Sequence, residues 1–233
     1  MGCPRADRGA PVGTIGETVE LDITWAVEWI RRSADVLSEH RVELLTLDRE
    51  IGDGDHGENM DRGFQAVLPK LDDLPAGSTP GDVLKLVATT LISTVGGAAG
   101  PLYGTAYLKG AVAAGSSTSL DGPAVVAVLT AARDGIVTRG KAESGDKTMV
   151  DAWTPAVDAA AKASENGSDA AEVLAAAASA AWAGAEATEP LVARKGRASY
   201  LGERSAGHRD PGAQSTALLL QAAADTASAA AGA

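Results

Sequence analysis

The sequence is short of several things that whole classes of protein need. It has one cysteine, Cys3, in 233 residues, so no internal disulfide and no cluster of its own thiolates is available to it. Aromatic residues are scarce, with four Trp, three Tyr and a single Phe. That argues against a platform that stacks single-stranded bases. Basic residues are outnumbered, 20 Lys and Arg against 31 Asp and Glu, for a net charge of −11. A chain so acidic has no general attraction for nucleic acid or for an anionic membrane, and any phosphate it binds requires a local device. The longest uncharged apolar-rich run, between Glu172 and Glu186, is mostly alanine and falls short of the ~18–20 strongly apolar residues of a membrane span. The first twenty residues are rich in Gly, Pro and charge and lack the apolar stretch of a signal peptide. They read as a disordered leader (1–20), with a helical domain over 21–233. The expected location is the cytoplasm.

What the chain does have is helical periodicity and enough apolar content, 45%, for a large core. Ile23, Val27, Ile30, Ala34 and Leu37 recur at steps of three and four, one stripe of a helix that is expected to run toward Leu45. A second helix is expected over 58–71. Thr79-Pro80 starts a third, with Thr as N-cap and Pro in the first turn. A fourth is expected over 102–115. Asp121 caps a fifth that closes at Arg139-Gly140. Three more follow over 147–164, 168–188 and 211–230. Eight helices without a period-two strand predict an all-α, single-domain bundle. Trp25, Trp29, Trp153 and Trp182 fall at helical positions and read as core or interface anchors, and His40 as a surface residue.

Four interruptions between helices carry the chemical signal. In Leu47-Asp48-Arg49-Glu50-Ile51-Gly52-Asp53-Gly54-Asp55-His56-Gly57-Glu58-Asn59, glycines allow turns that converge Asp53 and Asp55. Converging carboxylates call for a hard cation such as Mg²⁺ or Ca²⁺; a solvated Asp/Gly turn is the alternative. An EF-hand loop beginning at Asp53 fails because its twelfth position is Phe64. The GxGxxG match at Gly52, Gly54 and Gly57 follows a helix rather than a strand, and bare aspartates repel a pyrophosphate unless a cation lies between them.

The second interruption, Gly96 to Pro101, is a glycine-rich entry into a helix and a weak anion-site signal. No GxxxxGK[ST] string occurs, which excludes a P-loop enzyme. The third, Gly140 to Met149, brings Lys141 and Lys147, which suit phosphates or merely a solvated loop. The fourth, Arg194 to Gly212, concentrates five of the 20 basic residues in one long stretch that reads as loop without secondary structure, more often functional than decorative.

Together the strings LDREIGDGDHGENMDRGF (47–64), STVGGAAGPLYGTAYL (93–108), RGKAESGDKTMVDAW (139–153) and RKGRASYLGERSAGHRDPGAQS (194–215) resemble the ADP-binding L subunits of bacterial dihydroxyacetone kinases. The resemblance implies a barrel of eight antiparallel helices with the nucleotide at one end. It implies ADP or ATP held through two Mg²⁺ ions on Asp48, Asp53 and Asp55. His56, Gly57, Glu58 and Asn59 approach the nucleotide, as do Gly97, Ala98 and Ala99. Gly140 and Met149 form the base pocket, and Arg197 with Asp210, Pro211 and Gly212 closes the site, Arg197 also assisting transfer. Ala99 stands where the family often has Ser, leaving only backbone donors there. The implied activity passes the γ-phosphoryl group to dihydroxyacetone on a separate K subunit, with ADP rephosphorylated in place by a phospho-histidine protein of the phosphotransferase system. An ATP-exchanging kinase subunit for a triose or tetrose and a non-catalytic nucleotide-binding regulator are the alternatives. A homodimer is left open.

Overall fold

The computed structural model describes residues 21–231; the expected leader, 1–20, lies outside the described residues. Two residues of strand β1 (Leu21–Asp22) lead into α1 (Ile23–Glu39), α2 (Arg41–Ile51), α3 (His56–Gln65), the single turn α4 (Leu68–Leu71), α5 (Pro80–Thr94) and α6 (Ala99–Ala114). Strand β2 (Ser119–Leu120) precedes α7 (Gly122–Gly140), α8 (Val150–Glu165), α9 (Ala170–Ala187) and α10 (Pro211–Ala231). A 3₁₀ segment, Arg197–Ser205, lies between α9 and α10.

The helix starts follow local chemistry. The Asp22 carboxylate accepts from the N–H groups of Thr24 (2.8 Å) and Trp25 (3.1 Å), supplying two donors that have no partner inside α1. Thr79 and Asp82 form a reciprocal capping box on α5, as Asp169 and Glu172 do on α9. Asp121 caps α7 through Ala124 N–H at 2.9 Å.

Among the described residues ten helices stand where eight were expected, because the first two expected helices each break. One divides at His40, whose backbone leaves the helical region (φ −94°, ψ 7°). The other divides after Gln65, and α3 already begins at His56. The expectation that 194–212 lacks secondary structure is corrected by the 3₁₀ segment, and the absence of strands by β1 and β2, which pair antiparallel with Leu21 opposite Leu120.

From α5 to α10 each helix packs on the next, α10 packs on α1, and α1 meets α3 and α5, closing a ring. The interior is one apolar cluster of mostly Ala, Val and Leu, small side chains that let helix axes approach closely. Its few rings form a file: Trp25 stacks on Trp29 (5.1 Å), and Tyr107 lies 5.9 Å from Trp29 and 6.1 Å from Phe64. The Trp25 and Trp29 indoles donate to the carbonyls of Ala223 (3.2 Å) and Leu219 (3.0 Å), tying α1 to α10. Every residue from Pro211 to Leu220 is buried, so the first half of α10 is enclosed on all sides and brings its N-terminus to a fixed place. No helix of the described residues is long and apolar enough to cross a membrane.

Candidate functional site

The segment between α2 and α3 brings its three aspartates to one point. Oxygen atoms of Asp48, Asp53 and Asp55 all lie within 4.8 Å of one another. Asp48, on the last turn of α2, is buried, and its Oδ2 accepts from the N–H groups of Asp55 (2.8 Å) and His56 (3.1 Å). Those two bonds fold the loop back over the end of α2. Gly52 makes the fold possible, because a Cβ there would stand 2.0 Å from Asp48 Oδ1. An all-oxygen, triply anionic donor set with room kept beside one carboxylate fits a hard divalent cation.

The cluster opens into a cleft whose walls come from distant parts of the chain. Gly97, Ala98 and Ala99 at the start of α6 form one wall, Met149 the floor, and Asp210, Pro211 and Gly212 at the start of α10 another. No side chain caps the first turn of α6, so its N–H groups remain available to an anion. An adjoining recess, lined by Pro101, Leu102, Ile136, Gly140, Ala142 and Met149, is largely apolar and suited to a flat, uncharged ring.

Arg197, at the start of the 3₁₀ segment, reaches across the cleft to Asp53, with N–O 2.9 Å. Its stretch is anchored by a small apolar cluster of its own, in which Ala198 and Leu201 pack on Ile51 and Ala193. Ser205 Oγ adds to this by accepting from Ala193 N–H at 2.8 Å.

Behind the cleft lies a buried polar network. His56 Nε2 is 2.9 Å from Ser215 Oγ, which is 2.7 Å from the Tyr103 hydroxyl, itself 3.0 Å from Thr216 Oγ1. The Tyr103, Ser215 and Thr216 hydroxyls all lie within bonding distance of the Gly212 carbonyl, at 3.1, 3.1 and 2.8 Å. Burial lowers the His56 pKa, outweighing the opposing pull of Asp48, Asp55 and Asp53; the ring is neutral at pH 7. Burial likewise raises the Tyr103 pKa, so its hydroxyl keeps its proton. Asp210 is partly open to the cleft but crowded on its other sides. Burial, with Asp151 and Asp48 adding to it, pushes its pKa up to about 7 against the opposing Ala213 N–H and Lys147.

The expected residues do not all reach the cleft. Asp48, Asp53, Asp55, His56, Asn59, Gly97, Ala98, Ala99, Met149, Arg197, Asp210, Pro211 and Gly212 line it, and Gly140 lines the adjoining recess. Glu58 instead pairs with Arg41 on the outer face of α3. Gly57 sits where α3 crosses α2, with the Arg41 carbonyl in the space a side chain would need. Lys147 lines the cleft, yet its ammonium is taken up by three backbone carbonyls, of Thr188, Glu189 and His208. It is neither a phosphate ligand nor a solvated surface group, and burial lowers its pKa. Sequence reasoning missed Tyr103, Ser215 and Thr216. Tyr103 and Ser215 stand inside the quoted strings and Thr216 directly after the last, but only the folded chain brings them to His56.

The DAK2 domain matches residues 50–225. The PEP-dependent dihydroxyacetone kinase ADP-binding subunit of Escherichia coli K12 is 45% identical over 203 residues, which are 87% of this chain and 96% of that one. The PTS-dependent counterpart of Lactococcus lactis is 39% identical over 201 residues, 86% and 96% of the two chains. Among solved structures, the dihydroxyacetone kinase of C. freundii in complex with AMP-PNP and Mg²⁺ superimposes with a TM-score of 0.65 at 26% identity. That alignment covers 95% of this chain and 38% of the other. A family match over most of the sequence, with close identity along nearly the full length of the bacterial subunits, shows that the chain belongs to the DAK2 domain family.

Proposed function

We propose that this chain is the nucleotide-carrying subunit of a cytoplasmic dihydroxyacetone kinase. It holds Mg-bound ADP or ATP and passes the γ-phosphoryl group to dihydroxyacetone held on a separate K subunit. ADP is rephosphorylated in place by a phospho-histidine protein of the phosphotransferase system. The observation that carries this reading is the three-aspartate cluster, with oxygens within 4.8 Å, opening onto a cleft with an uncapped helix start. The relatives named ADP-binding subunits, which this chain matches over 96% of their length, support it.

In this reading Asp48, Asp53 and Asp55 hold Mg²⁺, two ions in the expected arrangement. Mg²⁺ supplies neutralisation of phosphate charge, the main requirement of phosphoryl transfer. The backbone donors of Gly97, Ala98 and Ala99 receive phosphate oxygens, and Arg197 adds a cation at the same end. Met149 and Gly140, with the aliphatic recess beside them, take the base without ring stacking. His56 is neutral and fixed by Ser215, which sets the loop that carries two of the aspartates. A general base for the acceptor hydroxyl belongs to the K subunit, where that hydroxyl is bound.

The test begins with the purified protein, in which bound ADP and metal are measured after gel filtration. The K subunit and dihydroxyacetone are then supplied with either the phospho-histidine donor or ATP. Turnover with the phospho-protein and tightly retained ADP are expected. Fast exchange of the bound nucleotide with free ATP would sink the coenzyme reading, and no turnover with either donor would sink the kinase reading.

A further inference from the structure

The most exposed large apolar side chain among the described residues is Tyr200, at 89% exposure. The other two tyrosines, Tyr103 and Tyr107, and the single phenylalanine, Phe64, are buried. Leaving an aromatic ring in water forfeits the burial that makes such residues useful, and Tyr200 is no frayed tip. It lies on the 3₁₀ segment Arg197–Ser205, whose inner side is packed down through Ala198 and Leu201 onto Ile51 and Ala193.

The period of that segment places the ring. Side chains three apart in a 3₁₀ turn eclipse one another. Arg197 and Tyr200 are both exposed, while Ala198 is buried and Leu201 half-buried. Arg197 and Tyr200 therefore share one ridge, and Arg197 reaches Asp53 of the aspartate cluster at 2.9 Å. Tyr200 thus stands one turn from the phosphate end of the cleft and faces outward.

The charge around it runs against that of the chain as a whole. Arg194, Lys195, Arg197 and Arg204 are exposed along this stretch, against Glu203 within it and Asp53, the ion-pair partner of Arg197, across the cleft, on a protein of net charge −11. An exposed aromatic on a packed-down segment that carries an arginine three residues before it and another four after it has the composition of an interface hot spot. The basic collar calls for an acidic partner surface.

We infer that Tyr200 is the anchor by which this subunit docks the acceptor-carrying K subunit, its ring entering an apolar recess on an otherwise acidic face of that partner. The inference rests on the proposed function. Transfer to an acceptor on another chain requires that chain to close over the phosphate end, and Tyr200 is the apolar group the ridge beside Arg197 presents there. Tyr200 has no contact with nucleotide or metal in this arrangement; it acts by holding the partner in register.

The experiment measures, by titration calorimetry, the affinity of the K subunit for wild type, Tyr200→Ala, Tyr200→Phe and Arg204→Glu, each loaded with Mg-ADP. Turnover is followed as a function of the concentration of this chain. Tyr200→Ala is expected to weaken the complex at least tenfold and to raise the concentration of this subunit at half-maximal rate in parallel. The maximal rate, Mg-ADP affinity and unfolding midpoint are expected to stay unchanged. Tyr200→Phe restores tight binding, and Arg204→Glu weakens it with a reduced dependence on salt. If the alanine variant binds the K subunit as wild type does, the inference is overturned while the proposed function stands. Loss of affinity only for the phospho-histidine donor also overturns it, assigning the ring to that partner. If the wild-type protein itself fails to bind the K subunit, both readings fall.

Discussion

The ammonium of Lys147 lies 2.7 Å from the carbonyl of Thr188, the residue that ends α9. Its remaining donors go to the carbonyls of Glu189, at 3.2 Å, and His208. A lysine with 1% exposure is thereby fully satisfied by main chain, at a helix end where the dipole favours a cation. The contact joins the approach to Met149, the end of α9 and the strand of chain that returns to Asp210. Lys147→Met removes the charged donors; Thr188 and Glu189 keep Leu191 N–H (3.1 Å) and Gly207 N–H (2.8 Å) on their carbonyls, and the His208 carbonyl loses its partner. It is expected to cost ~2–4 kcal/mol of stability. Urea unfolding measures the cost, and faster amide exchange across 206–210 locates it. Wild-type exchange in that stretch would show that the lysine does not hold it.

Gly52 tests the metal centre without touching a ligand, and Asp48 tests it by altering one. A methyl group at residue 52 would collide with Asp48 Oδ1, only 2.0 Å from the ideal Cβ. Gly52→Ala is therefore expected to displace the carboxylate and weaken Mg-dependent ADP binding at least tenfold. Asp48→Asn removes its charge and is expected to weaken that binding further. In both, ADP binding in the presence of EDTA is expected to match the wild type in EDTA. Calorimetry with and without Mg²⁺ reads the difference, and equal Mg-ADP affinity in Gly52→Ala and wild type would refute the steric account.

The contrast between these two contacts shows what a single sequence exposes. Asp53 and Asp55 were legible because their convergence is local, produced by the glycines around them, whereas Asp48 joined the set through the family resemblance. Helix starts at Thr79 and Asp121 were legible for the same reason. The partner of His56 is Ser215, 159 positions away, and no local pattern marks it. Lys147 looked like a loop cation because its carbonyl partners are backbone groups that any sequence carries. The break at His40 was hidden by an apolar stripe that runs through it, from Ile30 and Leu37 to Leu44, with no Gly or Pro to mark it. Glycines at 196, 202 and 207 read as loop, and they concealed the 3₁₀ turn that places Arg197.

Asp210 gives the metal-free protein a pH dependence. Its pKa rises from the ordinary 3.8 to about 7 on folding. Between those values the folded protein keeps a proton that the unfolded chain has released. The group therefore stabilises the fold in full below the lower value, and that contribution is lost as pH rises through about 7. Compared in EDTA, wild type is expected to gain on Asp210→Asn as pH falls from 8 to 5. The gain is at most ~1.4 kcal/mol per pH unit and smaller in practice, since the carboxyl is partly open to the cleft. Asparagine still accepts from Ala213 N–H, so the cap is preserved. A gap in urea midpoint that does not change with pH would show that Asp210 titrates normally.

Tyr103 and Ser215 are expected to act as a unit. The Tyr103 hydroxyl is 2.7 Å from Ser215 Oγ, and Ser215 is in turn the partner of His56, so each hydroxyl sets the direction in which the other donates. Tyr103→Phe keeps the ring in its apolar setting and removes one hydroxyl, leaving Thr216 on the Gly212 carbonyl at 2.8 Å. Its expected cost is ~1 kcal/mol. Ser215→Ala strands His56 Nε2 as well and is expected to cost more, ~2 kcal/mol. Once Ser215 is gone, Tyr103 retains Thr216 and the Gly212 carbonyl but has lost its link to the aspartate loop. The second substitution then removes less than it does alone, and a double-mutant cycle on unfolding free energies is expected to show a coupling of ~0.5–2 kcal/mol. Strict additivity would mean that the two hydroxyls pack side by side without forming a network.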